Sequence, residues 1–207
     1  MKTIEFPLDG VQFSLVSSSF RGKADVIRLW MNAIKIMTTY AAPQAAQVVC
    51  KLVVNVDKMS RLFLSSDEKC VSVNFPFVTH TLDGEVRFVS KSCGVVDNRM
   101  SSNILSLLSG GALEAEEVLE FAEPILELLD AEASCWRLLR DLIMVDDGYL
   151  RFDHDPTREN GRLHPLNHID VFYSQSTTFK MGVSNKLALE DLVDILNLKS
   201  NCHFIAK

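Results

Sequence analysis

The 207-residue chain predicts an α+β protein, an antiparallel sheet packed against several helices, with a polar-faced hairpin near its C-terminal end and a closing helix. Three observations predict it. Short runs rich in β-branched and aromatic residues dominate the first half. Apolar residues recur at helical spacing over 23–37 and again from about residue 114 onward. Asp83-Gly84 stands between Phe77-Val78-Thr79-His80 and Val86-Arg87-Phe88-Val89, a spacing that favours a tight hairpin.

The opening run from Gly10 to Val16 reads as a strand, and Ser17-Ser18-Ser19 as a loop. Between Lys23 and Met37, the residues Ala24, Val26, Ile27, Leu29, Trp30, Ala33, Ile34 and Met37 make a helical stripe with Trp30 as a core anchor. Gln47 to Val56 mixes helical and strand signals, and Val53, Val54 and Val56 tip it to strand. Arg61 to Leu64, Cys70 to Phe75 and Val86 to Val89 continue the sheet. Composition changes near Arg99, which would divide a single 1–207 domain into a mainly β part, 1–99, and a helical and hairpin part, 100–207.

Past that point, Ser101 to Leu108 predicts a short helix stopped by Gly110-Gly111. An acidic helix follows, carrying Glu114, Glu116, Glu117, Glu120, Glu123, Glu127 and Asp130. Leu119, Ala122, Ile125, Leu126 and Leu129 are its expected apolar stripe, with a kink or break at Pro124. No Lys or Arg lies between Arg99 and Arg137, so this face could dock a basic partner or simply be solvated. Ser134 to Met144 predicts another helix, Asp146-Asp147-Gly148 a turn, and Asn185 to Leu198 the closing amphipathic helix.

Composition limits the function classes. A formal net charge of -6 disfavours indiscriminate binding to nucleic acid or acidic membrane. Glu5 and Asp9 interrupt any apolar leader, and no run approaches a membrane span, which points to a cytoplasmic protein. Cys50, Cys70, Cys93, Cys135 and Cys202 are odd in number and lack C-x-x-C spacing, so they read as reduced, mostly buried thiols.

The concentrated chemical signal lies between Gly148 and Asp170. Both ends of that stretch alternate polar and apolar residues with period two. Leu150 and Phe152 share one face of the first strand; Arg151, Asp153 and Asp155 share the other, and Pro156 ends the strand. On the second strand, Ile169, Val171 and Tyr173 oppose His168, Asp170 and Phe172. Antiparallel pairing with the apolar faces on the core would gather Arg151, Asp153, Asp155, His168 and Asp170, with His164 at the loop exit.

Asp153, Asp155, His168 and Asp170 are therefore candidate ligands for a divalent metal, Mn, Mg or Zn. Such an ion could activate water or steady a phosphoryl group. Without metal, His164 or His168 beside a carboxylate could act as a general base, which makes Asp153, Asp155, His164, His168 and Asp170 the candidate catalytic set. Arg151, Arg158 and Arg162 could hold a phosphate, and Lys180, in an expected loop at the sheet edge, could add to an anion site. An ordinary solvated sheet face would carry the same pairs.

Arg151-x-Asp153-x-Asp155-Pro156, followed by His164-Pro165-x-x-His168, resembles a bacterial family of about 200 residues known only as a domain of unknown function. Its members carry R-x-D-x-D-P, then H-P-x-x-H, then a last helix after a short basic segment, in whose place this chain has Phe179-Lys180-Met181. The resemblance covers the last third of the chain, where the upstream Trp136 helix also fits. It implies a setting among mobile-element and bacterial defence genes. Three readings follow: an interaction or recognition subunit of such a system, binding a protein or nucleic acid; a metal-dependent phosphoesterase or nuclease on the hairpin; or a small anion or nucleotide sensor at the same face.

Overall fold

The computed structural model describes residues 2–57, 60–82, 84–173 and 178–204. The fold is α+β. A seven-stranded sheet, entirely antiparallel, runs in the order β1-β2-β3-β4-β8-β9-β10. Its strands are β1 (Lys2–Leu8), β2 (Cys50–Val56), β3 (Arg61–Ser65), β4 (Lys69–Asn74), β8 (Leu150–His154), β9 (Asn167–Val171) and β10 (Phe179–Gly182). A smaller sheet holds β5 (Val78–Leu82), β6 (Glu85–Ser90) and β7 (Gly94–Val95). Leu82 pairs with Glu85, as a tight hairpin requires; Asp83 of the turn signal lies outside the described residues.

The helices are α1 (Gly10–Val16), α2 (Lys23–Thr38), α3 (Asn98–Ser109), α4 (Val118–Ala131), α5 (Ala133–Met144) and α6 (Leu189–Ile195). The strand expected over Gly10 to Val16 is instead α1. Asp9 accepts the Gln12 amide at 2.8 Å while the Gln12 side chain accepts the Asp9 amide, and this reciprocal cap turns a β-prone run into a helical turn. The first strand lies earlier, at β1, and tolerates Pro7 because it is the sheet edge. The Pro7 carbonyl accepts the Tyr40 hydroxyl at 2.8 Å.

Trp30 is fully buried in α2 and donates its indole N–H to the Asn74 carbonyl at 2.7 Å, tying helix to sheet. One large core joins α2, α3 and α5 to the inner face of β1–β4 and takes residues from both sides of Arg99. A smaller cluster on the opposite sheet face joins Val53, Phe63, Cys70, Phe152 and Ile169 to Leu192 of α6. The closing helix is shorter than the expected Asn185 to Leu198; Leu187 and Leu196 outside it still pack on this cluster.

Of the kink or break expected at Pro124, the break does not occur, and α4 runs through it. Proline there removes only the bond that the Glu120 carbonyl would accept, and Glu120 is exposed to water. Of the expected apolar stripe, Ile125 is buried and Ala122 partly so, Leu119 and Leu126 face outward, and the Leu129 side chain lies outside the described residues.

The thiols divide as expected. Cys50, Cys70 and Cys135 are buried, Cys93 partly so, and Cys202 is exposed. Burial pushes the Cys50 and Cys70 thiols up to about 12. A thiol-disulfide reagent at pH 8 is expected to label Cys202 within seconds and Cys50 and Cys70 only as fast as the fold opens. Rapid labelling of Cys70 would contradict its place beneath α6.

Candidate functional site

The predicted hairpin forms, with Arg151 opposite Asp170 and Asp153 opposite His168. Its sidedness is the finding. One cross-strand row runs Phe6, Leu52, Leu64, Val71, Arg151, Asp170, Lys180 across the whole sheet. Directly opposed residues share a face. The polar row of the hairpin therefore continues the inner, core-facing side of the sheet, and the apolar row of Phe152 and Ile169 lies beneath α6. The polar face is not a solvent-exposed surface: His168 is 0 % exposed, Asp170 3 % and Asp153 6 %.

Burial of two carboxylates is costly unless their charge is met. Arg151 meets both, with Nε 2.8 Å from Asp153 Oδ2 and Nη2 contacting Asp153 Oδ2 and Asp170 Oδ2. Lys180 donates to Asp170 Oδ1 at 2.8 Å. The expected loop at Lys180 is in fact the edge strand β10, and pairing places Lys180 opposite Asp170. Two carboxylates thus face two close cations. Burial alone would lower the Arg151 guanidinium value, but Tyr149, Asp153 and Asp170 outweigh it and the net direction is upward.

His168 completes the cluster. Its Nδ1 lies 2.8 Å from the Pro165 carbonyl and must donate to it. Its Nε2 lies 3.0 Å from the Lys180 ammonium, which can only donate, so Nε2 carries a lone pair and the ring is neutral. That same Nε2 is 3.6 Å from Asp153 Oδ2 and 3.9 Å from Asp170 Oδ1. Gly182, opposite His168, lets Pro165 approach: a Cβ at Gly182 would sit 3.1 Å from the proline ring.

Among the described residues, ligand atoms of Asp153, His168 and Asp170 all lie within 4.8 Å of one another. Asp155 does not join them. It sits past the strand end, accepts the Arg158 amide at 3.0 Å and pairs with the Arg158 guanidinium at 3.3 Å. Its slight burial raises its carboxyl value, but the Arg158 amide and charge bring the net below the usual value. His164 is nearby, its ring 4.6 Å from that of His168 in an edge-on contact. Arg158 is held by Asp155 on the exposed loop, and Arg162 is exposed there too.

Two supports escaped the sequence reading. Arg61, buried, donates to Ser72 Oγ, to Asn74 Oδ1 at 2.8 Å and to the Gly148 carbonyl, and so fixes the turn that launches β8. Burial lowers its guanidinium to about 10. Asp147 accepts from Lys23 Nζ and, at 2.7 Å, from Tyr173 OH, which ties the end of β9 to α2. Both are contacts between residues far apart in sequence, and only the Asp146-Asp147-Gly148 turn signal hinted at either.

A cavity of about 300 Å³ opens beside the cluster, lined by Ser17, Ser18, Ser19, Phe20, Lys69 and Arg151 among others. Comparisons with protein-family models, with curated proteins and with solved structures find no match to this chain. No helix among the described residues is long and apolar enough to cross a membrane.

Proposed function

We propose that this protein is an interaction subunit, and that its docking element is α4 rather than the hairpin. The observation that carries this reading is the outward stripe of that helix. Leu119 is 67 % and Leu126 56 % exposed, one above the other at i, i+7, with Val118 and Phe121 exposed beside them. Glu116, Glu120, Glu123 and Glu127 flank the stripe, all exposed. Glu114, Glu116, Glu117, Glu120, Glu123 and Glu127 also line a concavity of about 840 Å³ beside Gly110 and Gly111. An apolar ridge within a field of carboxylates suits a basic amphipathic segment, whose apolar side covers the leucines while its cations meet the glutamates.

The buried hairpin face supports the same division of roles. Its charges are matched internally, so a partner would have to break ion pairs to use them. The resemblance of the 151–168 segment supplies the setting, a bacterial partner encoded among defence or mobile-element genes. A protein partner is favoured over nucleic acid, because the proposed face is acidic.

The test is binding of a fluorescent Lys/Leu amphipathic helical peptide, followed by recovery of the partner from the native host. Leu119→Asp with Leu126→Asp should weaken peptide binding at least about tenfold and abolish partner recovery. Stability should fall by no more than about 1–2 kcal/mol, the cost of lower helix propensity and of repulsion from the neighbouring carboxylates, since both side chains face mainly water. Equal binding by parent and variant would sink the proposal.

A further inference from the structure

The hairpin cluster has a feature that an ordinary ion-pair network does not need. His168 presents an unprotonated Nε2 to two carboxylates, and its Nδ1 is fixed by the Pro165 carbonyl. A backbone acceptor on the far ring nitrogen is the usual support of a metal-ligating histidine, because it sets the tautomer and raises the basicity of the other nitrogen. A second observation is independent of the first. Asp153 Oδ1 is buried and has no hydrogen-bond partner, and Lys69 Nζ is 4.0 Å away. A buried carboxylate oxygen left without a partner costs about 1–3 kcal/mol, which a bound cation would remove.

We propose that Asp153, His168 and Asp170 form a divalent transition-metal site, and that the Lys180 ammonium is its resident stand-in. Lys180 Nζ sits 3.0 Å from His168 Nε2 and 2.8 Å from Asp170 Oδ1, contacts that a metal would make with the same two atoms. It is also the movable member of the cluster. It lies on the edge strand β10 with its side chain 34 % exposed, against 1 % for His168 and 4 % for Asp170. Its stem can carry the ammonium out to water without disturbing the sheet, whereas Arg151 is clamped between both aspartates.

An imidazole with two carboxylates selects Zn²⁺, Mn²⁺ or Fe²⁺ over Mg²⁺, which prefers oxygen donors throughout. Exchange of one ammonium for a divalent ion adds one positive charge to the cluster, so Arg151 and Lys69 oppose binding and Lys180 must leave. Metal binding is therefore a competition with Lys180, and removal of the lysine should reveal it. This site lies apart from the α4 face, so either assignment can fail without the other.

The experiment is a titration of the full-length protein with Co²⁺, read by visible d–d absorption and by paramagnetically shifted proton resonances. Lys180→Met should bind one Co²⁺ at least about tenfold more tightly than the parent. In that variant, an exchangeable shifted resonance from the His168 Nδ1 proton should appear, protected from solvent by Pro165. His168→Gln added to Lys180→Met should abolish the absorption. Three results would overturn the proposal: Lys180→Met binding no more tightly than the parent, bound Co²⁺ without a shifted Nδ1 proton, or absorption that survives His168→Gln. The resonance is read in Lys180→Met itself, so the test stands even where the histidine variant fails to fold.

Discussion

Asp170→Ala is expected to lower the unfolding free energy by about 3 kcal/mol, within the range for breaking a buried ion pair by deleting one partner. Asp170 is 3 % exposed and accepts from both Arg151 and Lys180. Its loss leaves two cations beside the single carboxylate of Asp153. Lys180 can swing out to water, which keeps the cost towards the low end; Arg151, wedged between β4 and β9, cannot leave as easily. For a chain of this length the change corresponds to a fall in Tm of roughly 6–12 °C. Chemical denaturation of parent and variant measures it. A loss below about 1 kcal/mol would mean that the carboxylate is solvated, contrary to the burial of the row.

Gly148→Ala should cost a similar amount, about 3 kcal/mol, by another route. Gly148 has φ +52°, a left-handed conformation that carries roughly 1–2 kcal/mol for a residue with a Cβ. An added Cβ would also lie 2.8 Å from Asn74 Oδ1 and 2.9 Å from its Nδ2. Asn74 cannot yield freely, because it accepts from Arg61 at 2.8 Å and donates to the Asp146 carbonyl at 2.8 Å. Displacing it would leave Arg61 buried with fewer partners, adding about 1–2 kcal/mol. Gly84→Ala is the matched control: its φ is +83°, but nothing lies within 4 Å of its Cβ, so only the backbone penalty applies. Equal losses in the two variants would show that Asn74 is not the obstacle.

Much of this fold was legible in the sequence because its elements announce themselves locally. Helical spacing marked α2 and α5, and alternation marked β8 and β9. The errors were also local in origin. Gly10 to Val16 has strand composition, but one reciprocal cap from Asp9 and Gln12 outweighs it. Lys180 sits in a four-residue strand too short for its alternation to be read, and it is paired through contact with β9. Asp155 shared the right parity but lies past the end of β8, where Arg158 claims it. The exposure of Leu119 and Leu126 could not be foreseen from spacing, since an apolar stripe has the same pattern whether or not a second surface covers it.

What the sequence determined by itself is which residues share a face. Period-two alternation placed Arg151, Asp153, His168 and Asp170 together, and they are together. What only the tertiary structure decided is which face is covered. Parity is a property of one strand, whereas burial depends on which strand comes next and what packs above it. Here β4 sets Val71 beside Arg151 and Lys69 beside Asp153, which joins the polar row to the core side of the sheet. The apolar row then falls to α6, and the carboxylates are closed in by Arg151 and Lys180. A face that alternation alone would turn to water became a buried, charge-matched cluster, because seven strands share one pleat and a single register fixes the side for all of them.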